Sequence, residues 1–350
     1  MTCTTPKPVV PLVGRPFIAY MLEWLRSHGV DQVILSCGFM AAGVRDVLGD
    51  GRALGISLRY VEEPEPLGTG GALKFAEDLL EDRFFMLNGD VLTDIDLSAA
   101  LLQHQETGAR ATLALIGVDD PSAYGLVRRR SDGSVSEFVE KPRPDEIDTN
   151  LVNAGAYILE REVLADMPPA GIRSSIERDV FPKLVDSGLY GYEAAAYWLD
   201  IGTPERYVQA TYDILEGDVQ TEVGRQLAQA GGILSYGDVS GVVHGPALIE
   251  AGSTVAAGAI VGGRTVLGRD VTVQARAHVE ASVVLEGCQI GAGTRVSGSI
   301  LGRNVHVGEG CHIDARVVLG DDVRIGARNT LSAGMRIFPG VHVPDQAIAF

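Results

Sequence analysis

From residue 249 onward an aliphatic side chain returns every six positions. Ile249, Val255, Val261, Leu267, Val273, Val279 and Leu285 keep the interval, and Ile290 and Val296 follow after a slip of one residue. A second slip leads to Leu301, Val307, Ile313, Leu319, Ile325, Leu331, Ile337 and Val343. A helix repeats every 3.6 residues and a strand every two, so neither alone produces this beat. Three short strands wound into a triangular coil do produce it, with one inward residue on each side. At about 18 residues per coil, 249–343 predicts a parallel β-helix of about five coils, with adjacent coils burying a shared aliphatic stack.

The repeat half is expected to occupy 246–350. Residues 218–245, with Gly231-Gly232 and little other pattern, are expected to connect the halves and to lie against one of them. The first 217 residues alternate periods instead. Phe17, Met21, Leu22 and Leu25 have helical spacing, Gly29 ends that run, and Val33–Leu35 is a short apolar strand. A helix over Gly71–Leu80, a strand over Phe84–Leu87 and a helix over Leu97–Gln105 continue the alternation. Thr203 suits an N-cap, Pro204 the first helical turn and Gly217 the helix end. This βαβα order predicts an α/β fold built on an open, mostly parallel sheet with helices on both faces.

The net charge of −17 repels phosphate backbones, so nucleic acid is not an expected partner, though a few local cations can still hold a small anion. Cys3, Cys37, Cys288 and Cys311 have no Cys-x-x-Cys spacing and read as free thiols, the last two as ordinary turn residues. No apolar run has the ~20 residues of a membrane span. The start lacks the apolar core of a secretory signal, which together predicts a cytoplasmic protein without membrane contact.

Chemistry-bearing groups fall at element ends. Asn88-Gly89-Asp90 follows an apolar strand, where ligands of open α/β sheets collect; the other reading is a turn aspartate. Tyr197-Trp198-Leu199-Asp200-Ile201-Gly202 puts a second carboxylate after another strand. If the two strands end together, Asp90 and Asp200 can share one Mg²⁺, which uses one or two carboxylates plus substrate phosphates. Lys7 and Lys141 each precede a proline, which predicts extended, stiff backbone and an ammonium fixed as a point charge for phosphate. Gly68, Thr69 and Gly70 open a helix, where a ligand can approach the backbone closely, although a plain loop-to-helix turn looks the same.

Taken in order, Pro6-Lys7-Pro8, Gly14-Arg15-Pro16, Glu63-x-x-Pro66-Leu67-Gly68-Thr69-Gly70-Gly71-Ala72-Leu73, Asn88-Gly89-Asp90, Tyr124-Gly125, Glu140-Lys141-Pro142, Asn153-Ala154-Gly155, Ser174 to Pro182 and Trp198 to Glu205 resemble the sugar-1-phosphate nucleotidylyltransferases. The terminal hexapeptide repeat is similar to that of the mannose-1-phosphate guanylyltransferases among them. The resemblance covers nearly the whole chain. It implies a Rossmann-like, mostly parallel-sheet nucleotidyltransferase domain over 1–217, followed by a left-handed parallel β-helix that serves assembly of a homo-oligomer or regulation. It implies catalytic roles for Lys7, Asp90, Lys141 and Asp200. Asp90 and Asp200 would hold Mg²⁺, Lys7 would meet the nucleotide phosphates and Lys141 the sugar phosphate. Glu63, Gly68, Thr69 and Gly70 would face the nucleotide. Tyr124, Gly125, Glu140, Asn153 and Gly155 would line the sugar pocket. Glu63 adds a physical argument of its own. An ionised Glu only accepts hydrogen bonds, guanine offers two adjacent donors, and thymine or uracil offers one donor between carbonyls, so GTP is favoured beside a hexose-1-phosphate.

Three other readings stay open. A hexapeptide acyltransferase would use His278, His306 or His312 as a base, but His306 and His312 precede inward positions on different faces and should point outward. Glucose-1-phosphate with dTTP or UTP keeps the chemistry and changes the substrates. A non-catalytic regulatory homologue fits one departure: the family opens with a strand and a Gly-Gly-x-Gly-Thr-Arg-x-Arg-Pro loop around the triphosphate, which this chain lacks, and Met1 falls on a leucine position of the family pattern. Our hypothesis is that the native start lies upstream; if it does not, loss of a phosphate-stabilising arginine costs roughly 10²–10³ in rate. Upstream in-frame DNA is expected to encode the missing loop, and a stop codon close to Met1 refutes this.

Overall fold

Local signals set most elements where the sequence puts them. The computed structural model describes residues 5–38 and 40–349, so the readings that rest on Met1 and Cys3 lie outside the described residues. The first long helix is Phe17–Ser27. The strand Gln32–Cys37 runs parallel to Ser57–Glu62, with Val33 opposite Leu58. Asp96 accepts from the Ala99 amide to start the helix Leu97–Thr107, and Gly108 at φ 61° ends it. Thr203 likewise accepts from the Arg206 amide, and Gly217 at φ 84° closes the helix Pro204–Glu216. The helix expected over Gly71–Leu80 begins earlier and ends earlier, at Gly68–Phe75, and a single tight turn covers Glu77–Leu79.

The described chain divides into two compact units, Met21–Trp198 and a second comprising Leu199 onward together with the residues before Met21. In the first unit the strand Ala111–Gly117 is buried almost throughout and pairs parallel with Leu189–Glu193. Between the strands Ala111–Gly117 and Arg83–Leu87 lies Leu151–Glu160, antiparallel to both. A hairpin of Gly125–Arg129 and Val135–Glu140 completes the sheet. Leu113, Leu115, Val127, Tyr157, Leu159, Val180 and Phe181 form the core on one side. Ile95, Ile116, Val152, Ala154 and Ala156 form it on the other.

In the second unit the solenoid has three parallel sheets of seven, seven and six strands. Its start differs from expectation. Ile233–Ser235, Asp238–Val239 and Val242–Val243 already pair with the next coil, and Glu222–Gln229 is helical, so most of the expected connection is ordered structure. Gly232 supplies a left-handed turn and the coil needs only two or three residues per strand, which is too short to leave a pattern of its own.

The first slip also falls earlier than the spacing suggests. Leu267 pairs with Val284, and Val284 with Leu301, so Val284 rather than Leu285 occupies the stack. Leu285 instead lines a cavity of about 40 Å³ with Pro11, Val13 and Arg303. Two adjacent aliphatic residues left the choice open, and the partners across the coils decided it. Cys288 and Cys311 are not turn residues but members of the buried stack, their thiols donating to Gly302 O at 2.9 Å and Gly326 O at 3.1 Å. Burial pushes the Cys288 thiol up to about 12, which keeps it an unreactive thiol. His306 and His312 are exposed on two different sheets, as expected.

In such a stack the inward side chains carry the apolar burial, and the outward ones little of it. Ile290→Ala is expected to destabilise the solenoid by roughly 2–5 kcal/mol. The neighbouring exposed Gln289→Ala should change it by less than about 0.5 kcal/mol. Comparable losses in thermal unfolding would mean that the strand faces the other way.

Candidate active site

The site is organised by an interruption in the strand Leu151–Glu160. Pairing with Ala111–Gly117 shifts register between Asn153 and Tyr157. On its other edge the strand meets Leu126 at Val152, then Leu87 at Ala156. The bulge therefore lies where one edge changes partner, and it turns Asn153, Ala154 and Gly155 out of the ladder. Gly155 has φ 74°, and a Cβ there would sit 2.8 Å from Asn88 Nδ2. The Asn88 amide donates to Gly155 O at 2.8 Å, so the Asn-Ala-Gly and Asn-Gly-Asp motifs are locked together. Asp90 is half-buried two residues beyond.

Other expected sugar-pocket residues lie on elements next to the bulge. Gly125 is opposite Glu140 in the hairpin, and a Cβ on Gly125 would fall 3.0 Å from Glu140 Oε2. Tyr124 stands edge-on to Trp198 at 5.1 Å, and Trp198 Nε1 donates to Ala154 O at 2.8 Å. Tyr197 is held beside the strand after Asp90: Thr93 Oγ1 donates to Tyr197 O at 2.7 Å, and the Tyr197 amide to Asp94 Oδ1 at 2.8 Å.

The glycine-rich helix start has a different use from the one its sequence suggests. A Cβ on Gly68 would meet Ser174 O at 2.6 Å, one on Gly70 Ser174 Oγ at 2.8 Å, and one on Gly71 Ile172 O at 2.7 Å. The amides of Gly70 and Gly71 donate to Ser174 O. These glycines admit another stretch of the same chain, residues 172–176, and that stretch takes up two of the helix's free N–H groups. Thr69 is committed too. Its hydroxyl donates to Glu177 Oε2 at 2.6 Å and accepts from the Ile176 amide at 3.0 Å. Glu177 also accepts from Ser175 Oγ at 2.7 Å and, on its other oxygen, from Tyr157 OH at 3.3 Å. Tyr157 accepts from Asn153 Nδ2 at 2.7 Å, and Asn153 Oδ1 accepts from the Gly155 amide at 3.0 Å. Glu177 lies within the Ser174–Pro182 segment, but its signal, a carboxylate in a Ser-Ile-Glu turn, has no meaning until Thr69 is known to face it.

The remaining candidates are placed as follows. Glu63 is half-buried, with Oε1 accepting from Ser36 Oγ and Oε2 from the Leu67 amide, each at 2.9 Å. Lys141 is exposed and lies at φ 54°, not in the extended conformation expected before Pro142. The chain leaves the sheet at this residue, and that turn overrides the preference at a cost of about 1–2 kcal/mol. Lys7 departs from the same expectation. It opens a single tight turn, Lys7–Val9, closed by the Val9 amide on Pro6 O. Asp200 accepts from Arg206 Nη1 at 3.3 Å. Among the described residues no three His, Cys, Asp or Glu side chains gather as a metal cage, so a divalent ion would complete its shell with phosphate oxygens and water.

Burial first, and then the Glu177 carboxylate, push Glu140 above its ordinary value of 4.5, with Arg178 and Lys141 pulling the other way. A raised acid adds stability that is full below its unfolded pKa and is lost as pH rises through the folded one. At neutral pH the ionised Glu140 is therefore held at a penalty, a common signature of a site kept for chemistry. Glu140→Gln is expected to melt higher than wild type at pH 8, with the gap closing toward pH 4. A lower melting temperature at pH 8 would contradict the burial penalty.

Residues 1–217 match the nucleotidyl transferase family, and 243–348 match the GMPPB C-terminal domain. A mannose-1-phosphate guanylyltransferase of Mycobacterium tuberculosis is 35% identical over all of this chain and 93% of its own length. A UTP–glucose-1-phosphate uridylyltransferase of Synechocystis is 31% identical over 85% of this chain and 81% of its own. The crystal structure of HddC from Yersinia pseudotuberculosis complexed with GMP-PN is 32% identical, with a TM-score of 0.51, over 59% of this chain and 88% of that one. No described helix is long and apolar enough to cross a membrane. The chain belongs to the nucleotidyl transferase family of enzymes and is similar along its whole length to a mannose-1-phosphate guanylyltransferase.

Proposed function

We propose that this chain joins mannose-1-phosphate to the guanylyl group of GTP and releases pyrophosphate. The observation that carries the reading is the full-length likeness to a mannose-1-phosphate guanylyltransferase, with a β-helix of the GMPPB type behind it. The base preference is supported by Glu63. Both of its oxygens are oriented by Ser36 and Leu67, and each retains acceptor capacity toward a base with two adjacent donors. Glucose-1-phosphate with UTP, suggested by the Synechocystis relative, would turn base carbonyls toward that carboxylate.

The attacking group is a phosphate oxygen of the sugar phosphate, already anionic at neutral pH, so no side-chain nucleophile is required. What the chain supplies is alignment and charge neutralisation. Lys7 would contact the nucleotide phosphates with Gly68, Thr69 and Gly70 beside them, and Lys141 the sugar phosphate. Glu140 and Asn153 would receive sugar hydroxyls, with Tyr124, Gly125 and Gly155 shaping the pocket. Asp90 and Asp200 would hold Mg²⁺, whose contribution is to neutralise phosphate charge. That assignment is supported by the Asn88–Gly155 bond and by Tyr197 lying beside Thr93 and Asp94. The reading includes assembly of copies through the β-helix and a cytoplasmic setting, supported by the free state of the three described cysteines.

Pyrophosphate release from four nucleoside triphosphates, each with mannose- and glucose-1-phosphate, tests the substrate pair; GTP with mannose-1-phosphate should lead. Asp90→Asn is expected to abolish turnover while the melting temperature holds, and activity above a tenth of wild type rejects its metal role. Glu63→Gln should lower kcat/KM for GTP relative to UTP by about tenfold, the size of one charged hydrogen bond. An unchanged ratio removes Glu63 from base recognition. Nucleotide binding without pyrophosphate release from any pair would instead support a regulatory homologue.

A further inference from the structure

We infer that Glu177 is a positioning residue that fixes the glycine-helix loop against the sugar-side strand, and so aligns two reactants that it does not touch. This rests on the two-substrate reading above. The carboxylate accepts from Thr69 and Ser175 on Oε2 and from Tyr157 on Oε1. From Thr69 the path leads into the helix Gly68–Phe75. From Tyr157 it runs through Asn153 to the Gly155 amide, and Gly155 O in turn holds the Asn88 amide ahead of Asp90. One side chain therefore joins its own turn to Tyr157, 20 residues away, and to Thr69, 108 residues away, two stretches that lead to candidate groups of the site.

The chemistry of the donors makes the carboxylate hard to replace. Each contact comes from a hydroxyl, and an ionised carboxylate can only accept, so all three hydroxyl hydrogens point at it. No cation is within ion-pair distance of Glu177 among the bridges of the described residues, and Thr69 and Tyr157 are themselves half-buried and buried. An amide at this position must turn its nitrogen toward one of the hydroxyls, which reverses that bond and disturbs the geometry on the far side. The connection is rigid where two reacting phosphates would have to be held in line, and a misplacement of about 1 Å there is worth roughly 10²-fold in rate.

The test is E177Q in the full chain, with T69V, T69S and the E177Q/T69V double variant, assayed well below their melting temperatures with the pair the wild type prefers. E177Q is expected to lower kcat by about 10²-fold while nucleotide alone and sugar phosphate alone each bind within about threefold of wild type. T69V should lower kcat to a similar extent, T69S should recover most of that loss in kcat, and the kcat of the double variant should be no lower than that of E177Q. Hydrogen exchange without any ligand should speed up at both the Ile176 and Gly155 amides in E177Q. A loss confined to the binding of one substrate, additive losses in the double variant, or an unchanged Gly155 amide overturns the inference. A wild type that turns over no pair sinks the two-substrate reading instead, and the exchange measurement still decides whether Glu177 couples the two segments.

Discussion

The strand Leu151–Glu160 cannot run straight and still serve both of its edges. It shifts register against Ala111–Gly117 and, on the other side, passes from the hairpin to Arg83–Leu87. The shift is absorbed at Asn153–Gly155, where only a residue without a Cβ fits beside Asn88. Several contacts of the candidate site in this unit start from that irregular stretch. Its carbonyls bind Asn88 and Trp198, its asparagine binds Tyr157, and the flanking hairpin brings Glu140 across from Gly125. The bulge is thus where ladder pairing is given up in favour of polar contacts that can face a ligand.

The solenoid obeys a different rule. Its side chains face inward at fixed intervals, and the next coil buries what one coil exposes, so stability spreads along the stack. Buried hydroxyls join the coils as well. Ser253 Oγ donates to Gly268 O at 2.6 Å and Thr294 Oγ1 to Gly308 O at 2.6 Å, which gives small polar residues a place in an aliphatic core. The cysteines at 288 and 311 take the same kind of position and lose their reactivity through burial. Of the histidines that would suggest a second chemistry, His306 and His312 are exposed ladder residues and His278 is a half-buried one.

The glycine run after Glu63 shows how a motif and its physical cause can differ. Its letters pointed to a ligand approaching the backbone, but the closest approach is made by residues 172–176. The helix start is still tied to the other candidate residues: Glu63 holds the preceding loop through the Leu67 amide, and Thr69 carries the link to Glu177. Proline was similarly a partial guide. Its local preference predicted extended lysines at 7 and 141, whereas a hydrogen-bonded turn at one and the exit from a sheet at the other prevailed.

What the sequence determined by itself was whatever repeats or caps within a few residues. The six-residue beat, the helix framed by Thr203 and Gly217, and the ordered series of short motifs are local or serial, so neighbours in the chain suffice to specify them. The tertiary structure alone decided which residue of the Val284–Leu285 pair enters the stack, that the solenoid begins at Ile233, and that Glu177 meets Thr69 and Tyr157. Those outcomes depend on partners one coil or about a hundred residues away, and an aliphatic pair or a lone carboxylate reads the same in one dimension whichever partner it later finds.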